Sequence, residues 1–357
     1  MSIRHTLSPL VAAAVLASAP SLAEQPAAPS PVSGLRSHFI GTEYPVNFQP
    51  LPQRYENPKN PITPEKVELG RMLYFETRLS KNQDISCNSC HDLAKYGVDG
   101  KPTSTGHKKQ LGGRNSPTVY NAAGHSLQFW DGRAPNVEEQ AKGPILNPIE
   151  MAMPSKEHVV ETLKSIPGYV TAFQKAFPGQ ADPVTYDNLG LAIGAFERQL
   201  VAPSRFDKYL AGNESALTEQ EKHGMKRFAE VGCTLCHNGP GLGGGMERLG
   251  YMVAYPDQKD QGLFEQTRRD DHRMIFRVPT LRNVARTAPY FHDGSVQDLP
   301  TAVRLMGWHQ LATKLSDEDV KNIVSFLEAL TGDVPASYVS RPSLPPSGPT
   351  TPKPDPT

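Results

Sequence analysis

The sequence predicts a mainly α-helical fold: two small helical units in tandem, joined and flanked by long irregular segments. Three observations carry this. The order capped helix, Cys-x-x-Cys-His, long irregular stretch, closing amphipathic helix occurs twice, which reads as an internal duplication. The length, 357 residues, suits two domains rather than one. The 34 prolines, many of them near the two ends, and a modest 38% hydrophobic content leave room for a core but assign much of the chain to irregular connections.

Taken in order, residues 1–23 read as a secretory signal peptide, with Arg4 and His5, an apolar run Leu7 to Ala19, and the small-x-small site Ser21-Leu22-Ala23. That run is shorter than the roughly 20 residues a transmembrane helix needs. No other segment is apolar enough, so an exported periplasmic protein without a membrane span is expected. Residues 24–60, rich in Pro, Ser and Ala, form an arm or linker. Thr63 is an N-cap with Pro64 at the first helical position, and Leu69, Met72, Leu73 and Phe75 lie mostly on one side. This helix leads into CNSCH. The segment TYDNLGLAIGAFERQL places Leu189, Ile193, Phe196 and Leu200 on one face and closes an N-terminal unit, 61–205. Thr218 and Glu221 form a capping-box pattern before Met225, Phe228 and Ala229, and that helix leads into CTLCH. Ser316 caps a helix carrying Val320, Ile323, Val324, Leu327 and Leu330, which closes a C-terminal unit, 206–332. Residues 333–357, rich in Pro, Ser and Thr, are expected to be disordered.

Formal charge is balanced, 37 basic against 37 acidic side chains. A global attraction to nucleic acid or anionic membrane is therefore absent, and a charged partner must use a local patch.

All four cysteines, Cys87, Cys90, Cys233 and Cys236, fall in Cys-x-x-Cys pairs followed at once by His91 and His237. On a helical turn, positions i and i+3 face the same way, so two thiols can reach the two vinyl groups of one porphyrin. The adjacent imidazole can then ligate iron, the pattern of covalently attached c-type haem. A zinc site or redox dithiol is the alternative, but neither half has the thiols for a four-cysteine site. Two c-type haems are expected, with His91 and His237 as proximal ligands. A sixth ligand would then set the function: methionine raises the potential, a second imidazole lowers it, and a displaceable ligand admits a small oxidant. The second half offers Met246, Met252, Met274 and Met306, of which Met306 in RLMGWHQL best fits an irregular segment before the closing helix, with Met274 next. The first half has no methionine between His91 and Met151, leaving His107 and His125.

Several further stretches, CNSCH, GHKKQLGGRNSPTVYNAA, FWDGRA, EEQAKGPILNPIEM, CTLCH, FRVPTLRNVARTAPYFHDGS and AVRLMG, stand in the order and near the spacing of one family. From about residue 60 to 332 the chain resembles the bacterial di-haem cytochrome c peroxidases. The resemblance implies two cytochrome c-like helical domains, each enclosing one c-type haem. The N-terminal haem, on Cys87, Cys90 and His91, would be the low-potential peroxidatic site with His107 as a removable distal ligand. The C-terminal haem, on Cys233, Cys236 and His237, would be the high-potential site that takes up electrons, with Met306 as sixth ligand. Trp130 matches the tryptophan between the haems, Glu150 the acid-base residue, and Gln140 its polar neighbour. Asn115, Thr287 and Pro289 match positions around a calcium ion. Hydrogen peroxide as substrate, a small cytochrome c or cupredoxin as donor, and a homodimer are likewise implied.

Chemistry alone leaves several of these open. Glu150 suits proton transfer if a haem pocket desolvates it, and is otherwise a loop carboxylate. Trp130 is equally a hydrophobic plug. Asn115, Thr287 and Pro289 offer only oxygen, which suits a hard cation completed by water, yet their segments also read as plain turns. His292 suits a hydrogen bond in the core or near a haem propionate. A pure electron-transfer cytochrome is the second reading. A third resembles the di-haem maturase that oxidises tryptophans on a methylamine dehydrogenase precursor. That relative has a tyrosine at the Met306 position and lacks the distal histidine, and both residues are retained here.

Overall fold

Thr63 adopts an extended backbone, its hydroxyl accepts from the Lys66 amide, and Pro64 opens helix α1, Pro64–Tyr74, as its sequence requires. The structure, a computed structural model, describes residues 47–357; the expected signal peptide and residues 24–46 lie outside the described residues. The CNSC turn is the one-turn helix α2, Cys87–Cys90. Three helices then occupy a stretch expected to be irregular: α3 Val137–Leu146, α4 Lys156–Lys164 and α5 Pro167–Ala176. They are short, and α3 carries Pro144 inside it, so their apolar periodicity is weak. Helix α6, Tyr186–Glu197, closes the first half.

The second half holds α7 Arg205–Leu210 and α8 Glu219–Glu230, the latter started by the Thr218–Glu221 capping box. Strands β1 Met246–Arg248 and β2 Ile275–Arg277 pair antiparallel with Met246 opposite Arg277, and α9 Phe264–Thr267 lies between them in sequence. Helix α10, Leu299–Leu311, carries Met306, so this methionine sits on a helix and not on the irregular segment expected. Helix α11, Asp317–Ala329, starts on a Ser316–Asp319 capping box, and α12 is Ala336–Val339.

The duplication is visible in how the helices cross. A Cβ on Gly70 of α1 would lie 1.9 Å from the Ala192 carbonyl oxygen and 2.9 Å from Phe196 Cβ of α6. A Cβ on Gly224 of α8 would lie 1.8 Å from the Asn322 carbonyl oxygen and 3.1 Å from Phe326 Cβ of α11. In each half the opening helix therefore meets the closing one at a glycine, backbone on side-chain root. Leu69, Leu73, Leu189 and Ile193 fill one core and Phe228, Ile323, Phe326 and Leu327 the other. Helix α6 differs from expectation in being buried nearly all round, because α3 covers its second face at Gly190 and Gly194.

The two Pro-rich ends pack against the halves. Within residues 47–60, the Leu51 amide donates to Asp207 (2.7 Å), and Asn57 and Asn60 donate to Glu138 (3.0 and 3.1 Å), which Arg198 also holds. Residues 341–357, expected to be disordered, run along the first half. Arg78 donates to the Pro345 carbonyl (2.8 Å), Gln83 to the Pro352 carbonyl (2.8 Å), and Ser165 to the Thr351 hydroxyl (2.9 Å). Proline fixes φ in advance, and an extended proline-rich backbone leaves its carbonyls free to accept. Composition alone does not register such docking.

Gly224→Ala is expected to destabilise the folded protein by about 1–3 kcal/mol, the usual effect of overpacking. Gly245→Ala, where nothing lies within 4 Å, should change stability little. Denaturant unfolding of the two variants checks this.

Candidate active site

Each CxxCH turn opens into a cavity. In both, the turn is closed by the histidine amide donating to the first cysteine carbonyl, 2.9 Å at His91–Cys87 and 2.9 Å at His237–Cys233. The first cavity, about 1920 Å³ including its mouth, is lined by Cys87, Cys90 and His91 together with Trp130, Gln140, Glu150 and Glu197. The second, about 1210 Å³, is lined by Cys233, Cys236, His237 and Met306 among largely apolar side chains.

The donor set fits haem. His91 Nδ1 donates to the Pro117 carbonyl (2.9 Å) and His237 Nδ1 to the Leu242 carbonyl (3.0 Å). A carbonyl can only accept, so the proton sits on Nδ1 and the Nε2 lone pair is left for a metal. Burial lowers the pKa of both imidazoles, which keeps them in the neutral, ligating form. Burial also pushes the Cys87 thiol up, and that of Cys233 to about 12. These are neutral thiols in apolar walls, suited to adding to vinyl groups and poorly suited to a thiolate metal site. Among the described residues no group of three or more His, Cys, Asp or Glu side chains is placed to hold a metal ion.

Of the four methionines in the second half, Met306 alone lines the second cavity. Met274 is buried with Trp130, Tyr255 and Phe276, Met252 is 57% exposed, and the Met246 side chain packs toward Gly132. In the first half, His125 is buried and faces Arg277 Nη1 across 2.6 Å. It does not reach a cavity. His107 is buried as well, but outside the cavity wall. Its amide donates to Ile149 O and Glu150 O (3.0 and 2.9 Å), and its Nε2 lies 3.3 Å from the Thr357 main-chain oxygen. The next two residues, Lys108 and Lys109, are both in the left-handed region at φ 55 and 60. That conformation is uncommon for side chains with Cβ, and it marks a loop held in place by its contacts.

Glu150 projects into the first cavity from a tight turn that follows α3. Asn147 Nδ2 donates to its Oε1 at 2.7 Å, and the Glu150 amide donates to the Asn147 carbonyl at 3.0 Å. Burial raises its pKa, opposed by the Arg133 charge and the Asn147 hydrogen bond. Glu197, which the sequence reading missed, is a second carboxyl on this wall. Burial, with the Glu138 carboxylate nearby, pushes it up to about 8. An acid inside the run GAFERQL looks like the polar edge of a helix, so no local signal marks it.

Trp130 and Arg277 line both cavities. The Trp130 indole donates to the Asn115 carbonyl (2.8 Å), the Asn115 amide donates to the His292 carbonyl (2.7 Å), and the Arg277 amide donates to the Trp130 carbonyl (2.8 Å). The Arg277 guanidinium is 5.7 Å from the Trp130 ring centroid. Burial lowers its pKa to about 10, so it stays charged at neutral pH. Its hydrogen-bond partners are the Phe129 carbonyl and His125, with no carboxylate among them. A buried cation without an acid partner fits a group that brings its own carboxylates, as haem brings propionates. Sequence reading missed Arg277; an arginine inside the otherwise apolar IFRV was the available signal.

The positions matched to calcium are less fully assembled. The Asn115 main-chain oxygen is taken by Trp130, and its Nδ2 donates to the Lys101 carbonyl (2.9 Å), so the residue has only Oδ1 to give a cation. Thr287 Oγ1 donates to the Val284 carbonyl (3.3 Å), and Pro289 follows a cis peptide bond.

A family profile described as "Di-haem cytochrome c peroxidase" matches residues 64–215. The chain is 48% identical to the cytochrome c551 peroxidase of Pseudomonas aeruginosa, covering 86% of this chain and 90% of that one. It is 45% identical to the cytochrome c551 peroxidase of Nitrosomonas europaea, over 83% and 89% of the two chains. Among solved structures, a MauG-like protein associated with microbial copper homeostasis superposes with a TM-score of 0.73 at 29% identity, covering 82% of this chain and 97% of that one.

Replacing Arg277 by methionine removes the buried positive charge from both cavities. Reduction adds an electron, which a nearby cation favours, so both haem potentials of the loaded protein should fall, by roughly 60 mV if each equilibrium shifts tenfold. Spectroelectrochemical titration against the parent protein checks this.

Proposed function

The chain belongs to the family of di-haem cytochrome c peroxidases, and on that premise we propose that it reduces hydrogen peroxide to water in the periplasm. The donor is a small cytochrome c or cupredoxin that delivers electrons at the C-terminal half, for use at the N-terminal half. One peroxide, two electrons and two protons give two waters. Two c-type haems, attached through Cys87 and Cys90 with His91 and through Cys233 and Cys236 with His237, supply one-electron storage and the reducing power for O–O cleavage.

The residues divide the remaining work. Glu150, held by Asn147 with Gln140 on the same wall, moves a proton from one peroxide oxygen to the other, which makes water the leaving group. Its partly desolvated carboxyl is suited to taking and returning a proton near neutral pH. Met306 completes the ligand set in the second cavity, and a thioether there favours the reduced state. Trp130, shared by both walls, bridges the two sites. His107 acts as the removable sixth ligand of the first site. Asn115, Thr287 and Pro289, with water, hold a calcium ion between the two halves, and the protein works as a homodimer.

Electron uptake at the second half is supported by its surface. Leu235, between Cys233 and Cys236, is 71% exposed, and Tyr251, Met252 and Trp308 are exposed as well. The Met252 amide bonds the His309 carbonyl (3.0 Å), which puts this apolar ground beside α10 and its Met306. Among the described residues no helix is long and apolar enough to cross a membrane.

The observation that carries the enzyme reading over an electron-carrier reading is the first cavity's wall. It presents Glu150 and Gln140, while the His107 ring stands outside it. Glu150→Gln is expected to lower peroxide turnover about 10²–10⁴-fold while peroxide-independent reduction of both haems by the donor is kept. Stopped-flow oxidation of reduced cytochrome c by the half-reduced enzyme measures it, and full turnover would remove the acid-base role. Met306→Leu should abolish the high-potential couple in a redox titration; its survival would exclude Met306 as a ligand.

A further inference from the structure

We propose that residues 341–357 form a strap that captures His107 when it leaves the first haem, and so sets how readily that site opens. The inference rests on the reading of His107 as a removable ligand. Nε2 of a histidine can serve one partner at a time. To bind a metal it must offer its lone pair, whereas to engage the Thr357 main-chain oxygen at 3.3 Å it must carry the proton. Strap contact and ligation at this nitrogen are mutually exclusive.

The strap is built to hold its end in place. Lys81 Nζ donates to the same Thr357 oxygen (2.8 Å) and pairs with Asp355 (3.4 Å), while the Lys81 carbonyl accepts from the Asp355 amide (3.0 Å). The Lys81 amide in turn donates to the Met151 carbonyl (2.8 Å), next to the Ile149 and Glu150 carbonyls that receive the His107 amide. Strap end, Lys81, the Glu150 turn and His107 thus form one closed circuit of hydrogen bonds. Upstream, the strap is seated closely at Gly348, where a Cβ would lie 2.1 Å from the Ser165 carbonyl oxygen. A freed strap removes the competing partner from Nε2 and returns His107 to the ligated state.

The test uses the full-length, haem-loaded protein and two variants remote from the cavity wall. Gly348→Ala unseats the strap, which hydrogen exchange at residues 349–357 reports. Lys81→Met deletes the donor that positions the strap's end. In the half-reduced protein, the ratio of high-spin to bis-histidine signal of the first haem is read by electron paramagnetic resonance. Both variants should shift that ratio roughly three- to tenfold toward the bis-histidine form, the worth of one or two hydrogen bonds. An unchanged ratio in both, or a shift toward high spin, overturns the strap. His107→Ala separates the two levels. If the oxidised variant keeps the bis-histidine signal, the ligand reading fails and takes the strap with it; if it loses the signal, the strap stands or falls on the other two variants alone.

Discussion

One hydrogen-bonded seam decides how this chain works. Arg277 donates its amide to Trp130, Trp130 donates its indole to Asn115, and Asn115 donates its amide to His292. Residues 115 and 130 belong to the first half and 277 and 292 to the second. The bonds that join the halves therefore also build the wall the two cavities share. Two sites that must exchange electrons need a fixed, short separation, and a wall of backbone bonds with one indole and one guanidinium supplies it without flexible links. The Arg114 guanidinium reinforces the seam from outside, pairing with Asp131 at 2.7 Å and Asp260 at 2.6 Å.

The same seam explains why the halves, although duplicated, differ. Each is an opening helix crossed on a closing helix at a glycine, with a CxxCH turn next to the crossing. What distinguishes them is the material inserted after that turn. In the second half it is α10, which brings a thioether to the cavity wall. In the first half it is a glycine-rich loop and the Asn147–Glu150 turn, which bring a proton-transfer group and leave the histidine outside. A closed ligand set suits electron storage, and an open wall suits a small oxidant.

The sequence made the repeat and the attachment residues legible because both rest on local chemistry. Caps at Thr63, Thr218 and Ser316 and the Cys-x-x-Cys-His spacing need no knowledge of distant contacts. Arg277 and Glu197 were not legible, since their importance comes from burial against residues far away in sequence. The helices α3 to α5 were missed for being short, and α3 for its internal proline. The strap was misread because composition reports the cost of ordering a chain, and not the carbonyl acceptors a proline-rich backbone offers to Arg78, Lys81 and Gln83.

The central claim is that the two sites respond to each other across the shared wall. The most direct measurement is a stepwise reductive titration of the haem-loaded protein, followed by optical and electron paramagnetic resonance spectra together. The first electron should reduce the methionine-ligated haem, and the signal of the other, still-oxidised haem should change from low spin to high spin in the same step. Two haems that titrate with no spectral effect on each other would contradict it.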